Sequence, residues 1–340
     1  MTAQASVAER GATGSLTRSK KPRKSRAPYL YLLPALIVMA VITLYPLLYQ
    51  VWMSFTDFGI QNLRPGSAAP TWVGAKNYID VITSQLAIPN YQFVRLLFYN
   101  LVWAFSNVII HVILGVSIAL LLHTKGLWFK RFYRSLYIIP VVIPAIIVAT
   151  VWKNMYDAQD GAINQLLAAA GGIFGVSADH FQADWLRQVQ DPISFVPLPL
   201  AFFAMLGTNT WLGWPLNAVV ATGALQSIPS ELYEAAEIDG AGSWQRFKNV
   251  TMVYLRPAML PYAIYGFVIT FNLFALAYFM SAGGPQGRTE LLVTQAYRLV
   301  NDQRLYGVGA SFAVIMFFIL LGITLVTNRM AKATRSYHDL

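Results

Sequence analysis

The sequence predicts an all-α, polytopic membrane protein with about six transmembrane helices. Three observations carry that expectation. Of 340 residues, 56% are hydrophobic and 12% are charged, against about 25% charged in soluble domains. Apolar runs of about 20 residues, the length that crosses a bilayer, recur along the chain. The formal charge is +10, but the cations sit in the terminal tail and in short segments between the apolar runs. That distribution belongs to membrane topology rather than to a nucleic-acid-binding face.

In chain order the runs cover about 29–55, 94–122, 137–152, 195–225, 257–280 and 306–327. Residues 1–27 precede them without an apolar run and end in a basic cluster, Arg18, Lys20, Lys21, Arg23, Lys24 and Arg26. This segment is expected to be a disordered cytoplasmic tail rather than a signal peptide. Residues 331–340 are expected to form a second cytoplasmic tail. Pro34, Pro46, Pro140, Pro144, Pro215 and Pro261 lie in or beside the runs. Each frees a backbone carbonyl that needs a neighbouring helix or water, so the runs should pack around a cavity. The segments 56–93, 153–194 and 281–305 are long enough to hold short helices.

Orientation follows from Lys and Arg. Lys125, Lys130, Arg131 and Arg134 follow the second run, Arg246, Lys248 and Arg256 follow the fourth, and Arg329, Lys332 and Arg335 follow the sixth. Both termini are therefore expected in the cytoplasm. There are no cysteines, which excludes disulfides and thiol chemistry. Asp and Glu are missing from the middle of every run, which argues against a proton-driven carrier. No G-x-x-x-x-G-K-[ST] loop is present, so any ATP must be hydrolysed by another chain. His111 is the one histidine deep in a run, and a hydrogen-bonded interhelical role suits it better than metal ligation. No acid pair or nucleophile–base spacing marks an intramembrane enzyme.

Neutral polar residues instead form stripes. Asn100, Trp103, Asn107 and His111 recur at helical spacing, as do Tyr265, Val268 and Asn272. The fourth run carries Thr208-Asn209-Thr210-Trp211-Leu212-Gly213-Trp214-Pro215. Amides and rings suit an uncharged polyhydroxylated ligand. The same residues serve equally well to hold helices together, and both readings stand at this point.

Residues 228–256 are expected to form a cytoplasmic coupling loop. Pro229 suits a first helical turn, and Glu231 and Glu234 suit its positive end. Leu232, Ala235 and Ala236 share a small apolar face, and Gly240 and Gly242 stop the helix. A short helix of this kind can enter a groove on a partner. The stretch Gln226-Ser227-Ile228-Pro229, Glu234-Ala235-Ala236-x-x-x-Gly240 and Asp239-Gly240-Ala241 resembles the EAA loop of binding-protein-dependent ABC importer permeases. Where that family often continues I-x-L-P, this chain has Val250-Thr251-Met252-Val253. Tyr31-Leu32-Leu33-Pro34-Ala35, Leu44-Tyr45-Pro46, Ser54-Phe55-Thr56-Asp57, Val73-Gly74 with Asn77-Tyr78, Gly283-Gly284-Pro285, Thr289-Glu290-Leu291-Leu292 and Tyr306-Gly307-Val308-Gly309-Ala310 resemble the sugar branch, of maltose/maltodextrin type. The likeness covers nearly everything from about residue 28 onward.

The resemblance implies a type I ABC importer permease fold and alternating access to a sugar. It implies no enzymatic activity and no cofactor in this chain, ATP and Mg being bound by partners. The implied partners are a second, different permease subunit, two ATPase subunits and an extracytoplasmic sugar-binding protein, in a bacterial or archaeal cytoplasmic membrane. Glu231, Glu234, Ala235, Ala236, Asp239, Gly240 and Gly242 would couple to the ATPase. Asn209, Leu212, Gly213, Leu216, Tyr265, Val268, Ile269 and Asn272 fall on the branch's substrate-path positions. Of those in the fifth run only Asn272 keeps the residue type. Leu216, Val141 and Ala145 replace a tyrosine, a tyrosine and a serine of the maltose-type subunit. Alternatives are a permease for another solute, such as glycerol phosphate, and a carrier driven by an ion gradient.

Overall fold

The computed structural model describes residues 27–124 and 126–335. The expected N-terminal tail up to Arg26, Lys125 and the last five residues lie outside them. The chain divides into two units, residues 1–49 and 50–340.

In the first unit α1 (Ala27–Met39) runs through a π-helical turn, Ala40–Leu44, into α2 (Tyr45–Met53). Pro46 would clash with the carbonyl of Ile42 in an unbroken α-helix. The π turn, which holds Ile42, relieves that conflict.

In the second unit the long elements are α-helical throughout. The short α3 (Lys76–Ile82) precedes α4 (Phe93–His123), which has 31 residues and a length of ~46 Å. Next come α5 (Lys130–Val142) and α6 (Ala145–Met155), bent by 96°. The expected span over about 137–152 is therefore bent within its length. The reason is local: Pro144 forces Ile143 into the extended region, φ −81°, ψ 127°, and the helix must stop there. After α7 (Ala162–Ile173) the chain enters α8 (Leu200–Gln226), which starts at Leu200 rather than near 195 because Pro197 and Pro199 hold an extended lead-in.

The expected coupling loop is largely helical. It comprises α9 (Ser230–Ile238), a turn at 239–242 and α10 (Ser243–Arg246). A π turn at Phe247–Thr251 then leads into α11 (Met252–Phe271). Gly240, at φ +75°, makes the turn, and helix resumes directly after Gly242. Pro257 and Pro261 consequently lie inside α11, not at its start. The expected run to Met280 breaks at Asn272–Leu273 before α12 (Phe274–Met280). α13 (Leu292–Asn301) and α14 (Tyr306–Arg335) finish the fold, so the expected C-terminal tail is helical as far as Arg335.

Among the described residues four helical stretches are long and apolar enough to cross a membrane: Leu30–Met53, Phe93–His123, Ser243–Met280 and Tyr306–Arg329. The bent α5–α6 pair makes a fifth if taken as one span. α8 has 27 residues, enough for ~40 Å, but Thr208, Asn209, Thr210, Asn217 and Thr222 dilute its apolar character. It tolerates them because most of them are buried inside the bundle.

Three clusters of buried residues organise the second unit. One lies among α3, α4, α11, α13 and α14, around Phe267, Phe271, Phe312 and Leu299. A second joins α4, α6, α8 and α12 through Trp103, Phe202, Met205 and Leu276. The third, near the α9 end, is made of small residues, Ala119, Ala221 and Ala224, with Leu225, Leu255 and Met259. Outward-facing positions of α4 are apolar instead: Phe98, Phe105, Ile109 and Ile113 are exposed. Polar residues inside and apolar residues outside is the arrangement expected of a bundle in lipid.

Candidate functional site: a polar seam, an exposed helix and a strapped loop face

The stripe on α4 is a helix–helix seam. Asn100 donates from Nδ2 to the Phe271 carbonyl at 3.2 Å, and its Oδ1 accepts from the Leu292 amide at 2.8 Å. The Trp103 indole donates to the Thr270 carbonyl at 3.1 Å. These bonds cap the C-terminal end of α11 just where it breaks. Lower on α4, Asn107 donates to the Trp103 carbonyl and accepts from Asn209 Nδ2, each at 2.7 Å. His111 Nε2 lies 2.9 Å from the Asn209 carbonyl oxygen. That oxygen can only accept, which assigns the Nε2–H tautomer.

Close approach makes these bonds possible. Gly213 lies against the His111 ring, and Gly115 lies against the backbone of Asn217 and Ala218; a Cβ at either position would overlap its neighbour.

The substrate-path candidates divide accordingly. Asn209 is buried with its amide committed to Asn107, and Gly213 packs on His111. Leu212 is half-buried against the aromatic cluster of α8. Leu216, Tyr265 and Ile269 are exposed on α8 and α11. Val268 is half-buried, and its carbonyl accepts from Asn272 Nδ2 at 3.1 Å at the end of α11. The sequence grouping therefore holds two sets, one engaged in the seam and one presented outward.

At one end of the bundle stands α9. None of its residues is buried. Glu231, Glu234 and Ala235 are exposed, as are Asp239, Gly240 and Gly242 in the turn that follows; Ala236 is half-buried. The structure thus places the predicted coupling residues on one projecting helix and turn. Two contacts hold it. Tyr233 Oη lies 2.8 Å from Thr251 Oγ1, and Arg246 pairs with Glu237 at 3.2 Å. Two large apolar side chains, missed in the list of coupling residues, are left open here: Ile238 is 87% and Trp244 72% exposed. Both residues lie off the small apolar face formed by Leu232, Ala235 and Ala236.

At the opposite end the segments between the long helices are strapped together. Asn77 Nδ2 donates to the Ser54 and Thr56 carbonyls at 2.9 and 2.8 Å, and the Gly307 amide donates to the Phe58 carbonyl at 2.8 Å. Asp57 accepts from the Thr71 hydroxyl and amide, both at 2.6 Å. The Thr71 hydroxyl, followed by its amide, holds this carboxyl below the usual range. Arg288 donates to the Val189 carbonyl at 2.7 Å and pairs with Asp191 at 2.6 Å. Thr289 donates to Ser281 Oγ at 2.9 Å, and Leu291 and Leu292 are buried. Glu290 is buried beside Arg298, 3.2 Å away but poorly aligned for a hydrogen bond. Burial raises the Glu290 pKa, opposed by Thr294 and Arg298. These ion pairs join residues that lie outside the apolar runs. Asp191 lies 97 residues from Arg288 in sequence, so no local signal marks their pairing.

Among the described residues no group of three or more His, Cys, Asp or Glu could hold a metal ion.

The comparisons agree with this architecture. Residues 111–334 match the family described as "Binding-protein-dependent transport system inner membrane component". The chain is 30% identical over 322 residues to the maltodextrin transport system permease protein MdxF of Bacillus subtilis (strain 168), covering 90% of this chain and 69% of that protein. It is also 30% identical over 322 residues to the trehalose/maltose transport system permease protein MalF of Thermococcus litoralis, covering 94% of this chain and 99% of that one. The fold matches a chain in the crystal structure of a bacterial alginate ABC transporter in complex with alginate pentasaccharide-bound periplasmic protein. There the TM-score is 0.71 and the identity 18%, over 91% of this chain and 94% of that chain. A polar-cored helical bundle with a projecting helix, matched in sequence along nearly its whole length, leaves one assignment: the chain belongs to the family of binding-protein-dependent transport system inner membrane components.

Proposed function

We propose that this chain is the permease subunit through which a sugar, of the maltose/maltodextrin or related oligosaccharide class, crosses a cytoplasmic membrane by alternating access. The observation that carries the proposal is α9. It is an exposed helix with no buried residue, with acids near its N-terminus and apolar side chains at its far end. Such an element adds no buried apolar contact to its own chain and suits a groove on a partner. The partner is an ATPase subunit, two copies of which bind and hydrolyse ATP with Mg. α9 and both chain termini then face the cytoplasm, and the strapped loops face outward toward a sugar-binding protein. A second permease subunit completes the translocation path, with Leu216, Tyr265 and Ile269 among the positions it shares. The sugar class rests on the relatives, whose names specify maltodextrin and trehalose/maltose.

In this scheme ATP-driven closure of the partners draws the α9 helices together and opens the bundle outward. Glu231, Glu234 and Asp239 meet cations of the partner, while Ala235 and Ala236 allow close approach. The test is Glu234→Lys in the reconstituted complex. Placing a cation against cations should lower solute-stimulated ATPase activity about tenfold or more. The thermal stability of the chain should be unchanged, because Glu234 is exposed. Wild-type stimulation would remove the coupling role.

A further inference from the structure

Between the segment before α4 and the α12–α13 connection lies a cavity of about 340 Å³, within the ~300–1,000 Å³ range of small-molecule sites. None of the proposed path or coupling residues lines it. Its rim is open and polar, with Asn90, Gln92, Gln286 and Gln303 exposed. Its floor is closed: Tyr99 is 7%, Glu290 6% and Gln295 6% exposed.

The floor differs from the seam below it. On α4, Asn100, Trp103, Asn107 and His111 are all paired. Next to Asn100 on α4 the Tyr99 hydroxyl, and on α13 Gln295 Nε2, are buried without a hydrogen-bond partner among the described residues. Buried polar groups are nearly always satisfied, so two at the floor of one cavity mark a place built to receive something polar.

The chemistry of the wall narrows what that is. Gln295 Nε2 donates only, the Tyr99 hydroxyl donates and accepts, and the Glu290 carboxylate accepts. Arg95 and Arg298 stand against Glu290 and Asp302, while Arg288 is committed to Asp191. Opposed charges in such balance favour neither a strong anion nor a cation. A hydroxyl group satisfies donors and acceptors together, and the Tyr91 and Tyr99 rings in the lining offer apolar faces that a pyranose can cover.

We propose that this cavity is a binding site for an uncharged polyhydroxylated ligand of about one or two glycosyl units, held by Tyr99, Gln295 and Glu290 and separate from the translocation path. The saccharide probe follows from the transport reading, whereas the cavity and its unmet groups do not depend on it.

The experiment uses the assembled complex in nanodiscs, without its binding protein, titrated calorimetrically with maltose and separately with acetate. Wild type should bind maltose. Tyr99→Phe and Gln295→Leu should each weaken binding about fivefold. Neither variant should melt lower, since each removes a group with no protein partner. Three results overturn the proposal. The first is no maltose binding to wild type, which leaves a pocket for ordered water only. The second is binding to both variants as tight as to wild type, which places the binding elsewhere. The third is binding of acetate in its stead, which makes the site an anion site. ATP-driven maltose uptake into proteoliposomes, with the binding protein added, is scored alongside. Uptake with a flat titration sinks the cavity proposal alone. A titration sensitive to both variants, with no uptake of any saccharide, sinks the transport reading alone.

Discussion

The α4–α8 seam and α9 stand at opposite extremes of the same chain. The seam spends its polar residues inward, pairing Asn107 with Asn209 and His111 with the α8 backbone, and uses Gly115 and Gly213 to bring the two helices close. α9 buries none of its residues and leaves Ile238, its last residue, open. In lipid, apolar side chains give no net drive for helices to associate, so close packing and hydrogen bonds must hold the bundle. In water a group of uncovered apolar side chains, such as Ile238 with Trp244, suits a surface that a partner covers. One region is therefore complete within this chain, and the other is completed by a partner in the assembly proposed above.

The strongest way to break the seam is to push it apart. A side chain at Gly115 would run into Asn217 and the Ala218 backbone nitrogen, which cannot rotate away. Gly115→Leu should cost about 3 kcal/mol or more, read as a sharp drop in melting temperature and in the yield of folded protein. A wild-type melting curve would mean that α4 and α8 are not held at this distance. The matching substitution at the other extreme is Trp244→Ala. Trp244 is exposed, and among the described residues its ring stacks on Phe247 alone, with ring centroids 5.5 Å apart. Chain stability should move by less than ~0.5 kcal/mol, while affinity for the ATPase subunit falls by ~2 kcal/mol if this ring is an anchor. A stability loss with unchanged association would reverse the contrast between the regions.

How far the sequence could be read follows the same division. The helix Ser230–Ile238 and its stop were legible because their signals are local: Pro229 before it, acids in the first turn, Gly240 after it. The spacing of Asn100, Trp103, Asn107 and His111 revealed a shared face but not what the face meets, since its partners lie on α8, α11 and α13, about a hundred residues away or more. Breaks inside apolar runs were harder to place. Pro144 ends α5, whereas Pro257 and Pro261 are carried within α11, so a proline alone does not say which outcome its neighbours permit. The motif residues Val73 to Tyr78 and Thr289 to Leu292 were recognisable by likeness. Their physical task, strapping the loop face through Asn77, Tyr78, Thr289 and Glu290, became visible only in three dimensions.

The smallest effect tests what Asn209 is for. Its Nδ2 donates to Asn107 Oδ1 at 2.7 Å inside the seam, whereas the resemblance to the sugar branch assigns it to the substrate path. Hydrogen bonds between membrane helices contribute ~0.6 kcal/mol on average and up to ~1.7 kcal/mol. Asn209→Ala and Asn107→Ala should each lower stability by about 1 kcal/mol, with a coupling near 0.6 kcal/mol in the double-mutant cycle. Asn107 keeps its bond to the Trp103 carbonyl in the first variant, so the loss stays modest. A residue that serves the seam should lose stability and uptake together, and the Asn107 variant should match it. A residue that touches the solute should lose uptake with no coupling to Asn107. Zero coupling would therefore move Asn209 out of the seam and into the path, despite its burial.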